Sequence, residues 1–201
     1  MKTKQLLLCA LFAALTAIGS LVKIPLPGMT MPITLQVFFM IMAGLLLEPK
    51  YALVSQLVYM AIGLLGLPVF SGGGGISYIL MPSFGYIPGF ALCAMLLSIL
   101  VRKKLVSFNR GQGSKFKKII QIIILAIVSL ASMYVLGVVY MYVIFNFYMG
   151  KPQSLGYIIM TYNAVFFIID LVKLAIAIPV CAAILRRMPV TYSSPKKTES
   201  V

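Results

Sequence analysis

Asp170 and Lys173 are the two residues whose type and spacing most directly suggest chemistry in this sequence. They stand three apart inside the apolar run Phe166-Phe167-Ile168-Ile169-Asp170-Leu171-Val172-Lys173-Leu174-Ala175. On a helix, positions i and i+3 share a face, so the carboxylate and the ammonium can converge. Ionisable groups inside such a run are costly and turn toward a bundle interior or a cavity. One reading is a buried ion pair that only joins helices. The other is a recognition face, with Asp170 accepting N–H hydrogen bonds from a polar solute while Lys173 donates to its oxygen. A carbonyl or amide group suits such a face, because its donors and acceptors can be matched without water.

A second unusual element is the stretch 67–82, which contains Gly72, Gly73, Gly74 and Gly75 in succession. Glycines permit positive φ and close backbone approach to a ligand, and their N–H groups can form a concave nest for oxygen atoms. The Gly-x-x-x-x-Gly-Lys-Ser/Thr pattern of a phosphate-binding loop is missing, so ATP is not expected here. A flexible outer linker is the plain alternative. Phe70, Ile76, Tyr78, Ile79 and Leu80 are unusually apolar for one, however, and a lid over a cavity explains both compositions. Gln36, Asn146, Tyr157, Tyr162 and Asn163 are further polar residues near expected outer helix ends. Tyrosines there also suit the interfacial aromatic belt. Gln36 and Asn163 are favoured as site residues because a dehydrated amide needs a partner, and Tyr78 by its adjacency to the glycines.

Composition defines the scaffold that holds these residues. The chain has 201 residues, 62% hydrophobic and 10% charged, against about 45–50% and about 25% in soluble domains. An ordinary soluble domain is excluded, and an integral membrane protein is expected. Histidine is absent, and Glu48, Asp170 and Glu199 are the three carboxylates, which leaves little material for metal or hydrolytic chemistry. Cys9, Cys93 and Cys181 lie far apart in apolar stretches, which suits buried, chemically quiet thiols. The formal charge of +14 could suggest nucleic acid, but the basic residues sit between apolar runs, so their placement reads as membrane topology and no nucleic-acid partner is expected. The polar stretch 107–118 reads as an inner-face connector meeting anionic lipids, and 191–201 as a short tail.

Six apolar segments meet or approach the roughly 20 residues a transmembrane helix needs. They are 5–22, 33–47, 51–67, 85–101, 119–148 and 156–185, within one membrane domain spanning 1–201. The second is short, so it is expected to start near Met29 or to lie in a thinned region. The fifth and sixth are too long for untilted crossings at about 1.5 Å per residue, and loop-like ends are expected within 146–162. The first segment also has features of a signal peptide, but its length and the spans that follow favour a retained helix. With both termini inside, fourteen of the seventeen basic residues lie on the inner side, against Lys23 and Lys151 outside and Lys173 in the membrane. This is the distribution the positive-inside rule describes. An all-α, six-span, N-in and C-in protein is predicted, with the glycine-rich loop outside between helices 3 and 4. In the first span Ala10, Ala13, Ala14 and Ala17 form two Ala-x-x-x-Ala spacings, a smooth strip for packing within the chain or against a membrane partner.

Taken together, these features resemble the BioY family, the biotin-binding membrane component of energy-coupling-factor (ECF) transporters. The resemblance covers nearly the whole chain. It rests on the alanine-rich first span, Gly63-Leu64-Leu65-Gly66-Leu67-Pro68-Val69-Phe70, the four glycines, Tyr78, Pro82-Ser83-Phe84-Gly85-Tyr86-Ile87-Pro88-Gly89-Phe90 and the Asp170-x-x-Lys173 pair. It implies a six-helix substrate-binding component (S-component) of the cell membrane, without ATPase activity or a cofactor of its own. In this family the glycine loop closes near the substrate, and residues matching Asp170 and Lys173 contribute to biotin recognition. The small-residue strip is associated with docking onto a transmembrane coupling protein, and two partner ATPase subunits use ATP. Where the family often has Pro-Phe-x-Pro-Gly-Asp-x-x-Lys, this chain keeps Phe166, Asp170 and Lys173 but neither proline nor the glycine. Another small vitamin-like acid as guest, a self-sufficient secondary carrier and a lipid-directed membrane enzyme are the alternatives, the last disfavoured by the scarcity of acids.

Overall fold

The structure is a computed structural model that describes residues 2–25, 31–102, 104–105 and 115–187. Its helices are α1 (Lys2–Leu21), α2 (Gln36–Leu46), α3 (Pro49–Leu64), α4 (Tyr86–Leu97), α5 (Lys115–Val143) and α6 (Leu155–Arg187). In lipid every backbone N–H and C=O must find a partner within the protein, so long apolar runs become helices. Four of the described helical stretches are long and apolar enough to cross a membrane: Thr3–Leu21, Pro82–Arg102, Phe116–Tyr148 and Leu155–Arg187. The chain therefore has an all-α multi-span membrane fold. α2 has 11 residues and α3 has 16.

Several boundaries differ from the sequence expectation for physical reasons. α2 begins at Gln36 because Ile33–Thr34 forms a strand, β2, antiparallel to β1 (Lys23–Ile24), with Lys23 opposite Thr34. Met29, where an earlier start was expected, lies outside the described residues. α3 starts at Pro49, whose missing N–H is harmless in a first helical turn. Within 146–162, where loop-like ends are expected, residues 149–154 are non-helical, but most of the surplus length of the last two segments stays helical. Each runs 33 residues, α5 continuing through a π-helical turn at Ile144–Tyr148 and α6 containing another at Ile159–Asn163. Most of the expected polar connector 107–118 lies outside the described residues, as does the tail 191–201.

α4 packs against α3 and α5, α1 against α2 and α3, and α2 against α6. Met40, Ile41, Leu45, Cys93, Ala94, Leu97, Leu130 and Met133 fill the resulting core. The three cysteines are free and buried. Polar bonds pin the α2–α3 turn to its neighbours: Ser98 Oγ donates to the Leu47 carbonyl at 2.6 Å, and Gln5 Nε2 donates to Glu48 Oε1 at 3.2 Å. The two alanine spacings of α1 separate, because Ala10 and Ala14 face outward while Ala13 turns into the core and Ala17 is half-buried.

Candidate functional site

α6 carries Asp170 and Lys173 one helical turn apart, and the expected convergence occurs. Lys173 Nζ donates to Asp170 Oδ1 at 2.7 Å, with both residues buried. The other carboxylate oxygen, Oδ2, accepts from the Tyr134 hydroxyl of α5 at 2.7 Å. The Tyr134 ring is held edge-on by Tyr86 and Phe167, with centroids 5.9 and 5.2 Å away. At the centre of a span each charge alone costs roughly 2.5–3.5 kcal/mol. Here the ion pair and the phenol offset that cost, and the ammonium keeps donors to spare, since it has three and this pair uses one.

The pair lines a cavity walled by α2, α4, α5 and α6. Val37, Ile87, Phe90, Met133 and Phe166 supply its apolar sides. Its roof comes from two loops: Met31, Pro32 and Thr34 from the first, Ser71, Tyr78 and Ser83 from the second. At about 90 Å³ it is smaller than two apolar troughs between α5 and α6, of about 420 and 660 Å³. It alone of the three brings a carboxylate and an ammonium together, so it is the candidate site.

The expected polar residues fall into two groups. Gln36 and Asn163 line this cavity with Tyr78, Asp170 and Lys173. Both amides are already engaged within the protein. Thr34 Oγ1 donates to Gln36 Oε1 at 2.8 Å, Gln36 Nε2 donates to the Tyr59 hydroxyl, and that hydroxyl donates to the Val69 carbonyl at 3.0 Å. Tyr86 donates to Asn163 Oδ1, while Asn163 Nδ2 donates to the Ile158 carbonyl at 2.9 Å across the π-helical turn. Each amide nitrogen retains a second N–H. Tyr162 lines the cavity too, whereas Asn146 and Tyr157 do not. Asn146 instead closes the connection before α6 by bonding to Gln153.

Gly72, Gly73, Gly74 and Gly75 do not line the cavity; they shape the roof that does. Phe70 and Gly73 exchange backbone hydrogen bonds at 2.8 and 3.1 Å, a tight turn made possible by φ +126° at Gly73. At Gly74 an added Cβ would strike the Leu67 carbonyl, so only glycine fits. Phe70, fully buried, seats the turn against Gly63 and against the ring of Tyr78, 4.7 Å away. The Tyr78 hydroxyl is 3.2 Å from both Ser71 Oγ and Ser83 Oγ. These contacts pack the loop onto the helix bundle. The apolar character seen in the sequence belongs partly to this anchoring and partly to Ile76, which is 74% exposed.

Tyr134, Thr34, Ser71, Ser83 and Tyr86 also line the cavity, although their local sequence does not mark them as site residues. Tyr134 lies in a long apolar run where a tyrosine looks like packing, and nothing in the local spacing points it toward Asp170. Tyr86, Ser71 and Ser83 lie in or beside segments already notable, and adjacency to the glycines would have been the usable signal. Among the described residues no group of His, Cys, Asp and Glu is placed to hold a metal.

Comparison with known proteins agrees with this architecture. The family described as BioY matches residues 1–190. A "Probable biotin transporter BioY" of Lysinibacillus sphaericus is 42% identical over 156 residues, 78% of this chain and 74% of the relative. The "Biotin transporter BioY" of Thermotoga maritima is 32% identical over 178 residues, covering 87% and 91%. Among solved structures, a crystal structure of the S-component for biotin from an ECF-type ABC transporter superimposes with a TM-score of 0.76. It covers 96% of this chain and 97% of that one at 26% identity. A family match over nearly the full sequence, with the same fold along the whole length, identifies this chain as a member of the BioY family.

Proposed function

We propose that this chain is the biotin-binding S-component of an ATP-driven ECF transporter. It captures biotin outside, closes its two roof loops over the guest and delivers it inward when partner subunits change its orientation. As in its family, the chain is a transport component and not an enzyme. The observation that carries the reading is the Asp170–Lys173 pair, braced by Tyr134, in a cavity roofed by the glycine-shaped loop.

The chemistry is complementary. The ureido group of biotin offers two N–H donors and one carbonyl, and a neutralised carboxylate–ammonium pair offers acceptor and donor side by side. A guest headgroup without net charge can replace water there with no charge left uncompensated. We assign the ureido end to this pair. The valerate carboxylate then meets the hydroxyls of Thr34, Ser71, Tyr78 and Ser83 at the roof, away from the Asp170 charge. Phe90, Met133 and Phe166 flank the fused rings.

The protein is a single multi-pass membrane domain, with α2 and α3 completing six crossings and both termini inside, as the placement of its basic residues supports. A coupling protein, docked on the outward Ala10–Ala14 face with Ala17, and two ATPase subunits supply the energy. The decisive experiment is mass spectrometry of solutes retained through gentle purification, followed by competition with biotin. Recovery of biotin, displaced by labelled biotin, is expected. A different tightly held acid that biotin cannot displace would overturn the substrate, and full uptake by this chain alone would overturn the coupled mechanism.

A further inference from the structure

A trough of about 660 Å³ runs between the inner halves of α5 and α6, outside the polar cavity and serving no part of guest recognition. Its floor is apolar, with Ile119 and Ile123 on one side and Ala175, Pro179 and Ala183 on the other, and Arg186 stands at its end. The sequence explains why it exists. Pro179 has no N–H for the Ala175 carbonyl and crowds that turn, and alanines at 175 and 183 leave the helices without bulky side chains to close the gap. From Ile119 to Ile127 the α5 wall extends about 12 Å, and from Leu171 to Arg186 the α6 wall extends about 22 Å at 1.5 Å per residue. One leaflet of hydrocarbon is about 15 Å deep.

Charge is arranged at the same end. Lys117 and Lys118 precede Ile119 directly, Arg187 follows Arg186, and Lys104 bonds to Gln121 Oε1 of α5 at 3.1 Å. The two described carboxylates are engaged elsewhere, Asp170 with Lys173 and Tyr134 and Glu48 with Gln5. Basic pockets between helices on the inner side are where anionic headgroups bind. The five N–H donors of a guanidinium let Arg186 keep neighbours in the chain while meeting a phosphate. We infer that this trough is a binding site for one anionic glycerophospholipid of the inner leaflet, an acyl chain lying along Ala175, Pro179 and Ala183 and its phosphate on Arg186. The inference does not depend on the identity of the transported guest.

The test is native mass spectrometry of the full-length protein in detergent, titrated with phosphatidylglycerol or phosphatidylcholine of identical acyl chains. The wild type should retain phosphatidylglycerol in preference by roughly fivefold or more, the effect of about one basic residue near an anionic headgroup. R186Q should abolish that preference, while R187Q, which removes the same charge beside the trough, should keep it. A183F, at an exposed position, should lower retention of both lipids while the melting temperature is unchanged. Equal retention of the two lipids by the wild type, equal effects of R186Q and R187Q, or an A183F variant that holds lipid normally would each overturn the assignment. So would an A183F variant that holds lipid but no longer assembles with the coupling protein, which would give the trough to that partner.

Discussion

Among single residues, Asp170, Lys173 and Tyr134 form one hydrogen-bonded group. Asp170→Asn preserves shape but removes the negative acceptor, so biotin affinity measured by titration calorimetry should fall by roughly 100-fold, the size of a lost charged hydrogen bond at about 1.5–3 kcal/mol. Lys173→Met should do at least as much and should also lower the melting temperature. It leaves the carboxylate buried without its counter-ion, a change that costs about 3–5 kcal/mol in buried pairs. Tyr134→Phe removes one donor to Asp170 Oδ2 and nothing else, and roughly tenfold weaker binding with unchanged folding is expected. Unaltered affinity in Asp170→Asn would reduce the pair to a helix brace. The ion pair was legible in the sequence because i and i+3 spacing is a local rule. Tyr134 was not, because its relation to Asp170 is set by the packing of α5 against α6, 36 residues away in sequence.

At the scale of elements, the roof is a built structure whose geometry depends on particular glycines. Gly74→Ala places a methyl on the Leu67 carbonyl and should raise the biotin dissociation rate measured by chase with unlabelled ligand, with less effect on overall folding. Phe70→Ala empties the seat beneath Gly63 and should cost about 3–5 kcal/mol of stability. Dissociation unchanged in Gly74→Ala would mean the loop does not close over the guest. The glycine run signalled a special loop, but which residues face the cavity was beyond the sequence. Ser71 and Tyr78 point inward only because the 70–73 turn and the Phe70 anchor orient them. The first loop was missed for a similar reason: two-residue strands such as Lys23–Ile24 and Ile33–Thr34 are too short to leave a periodic pattern.

At the scale of the whole molecule, hydropathy placed the four long helices within a few residues of their observed ends, because backbone satisfaction in lipid leaves few alternatives. The shorter α2 and α3 carry less of that signal. Burial also divides the alanine strip. Ala14→Leu, on the outward face, should prevent co-purification with the coupling protein while biotin binding persists. Ala13→Leu, in the core, should instead destabilise the chain by about 1–3 kcal/mol through overpacking. The reverse pattern would remove α1 from the docking surface. The proposed topology is read by labelling intact cells with an impermeant thiol reagent after removal of native cysteines. Ser77→Cys should react from outside and Lys50→Cys only after permeabilisation. Reaction of both from outside would contradict the six-span arrangement.

Recognition by the Asp170–Lys173 pair is tested most directly by a structure of the purified protein with biotin bound. The ureido oxygen is expected within hydrogen-bonding distance of Lys173 Nζ, a ureido N–H on the Asp170 carboxylate and the valerate near Ser71 and Tyr78. Biotin seated away from α6, with Asp170 and Lys173 still bonded only to each other and to Tyr134, would contradict it.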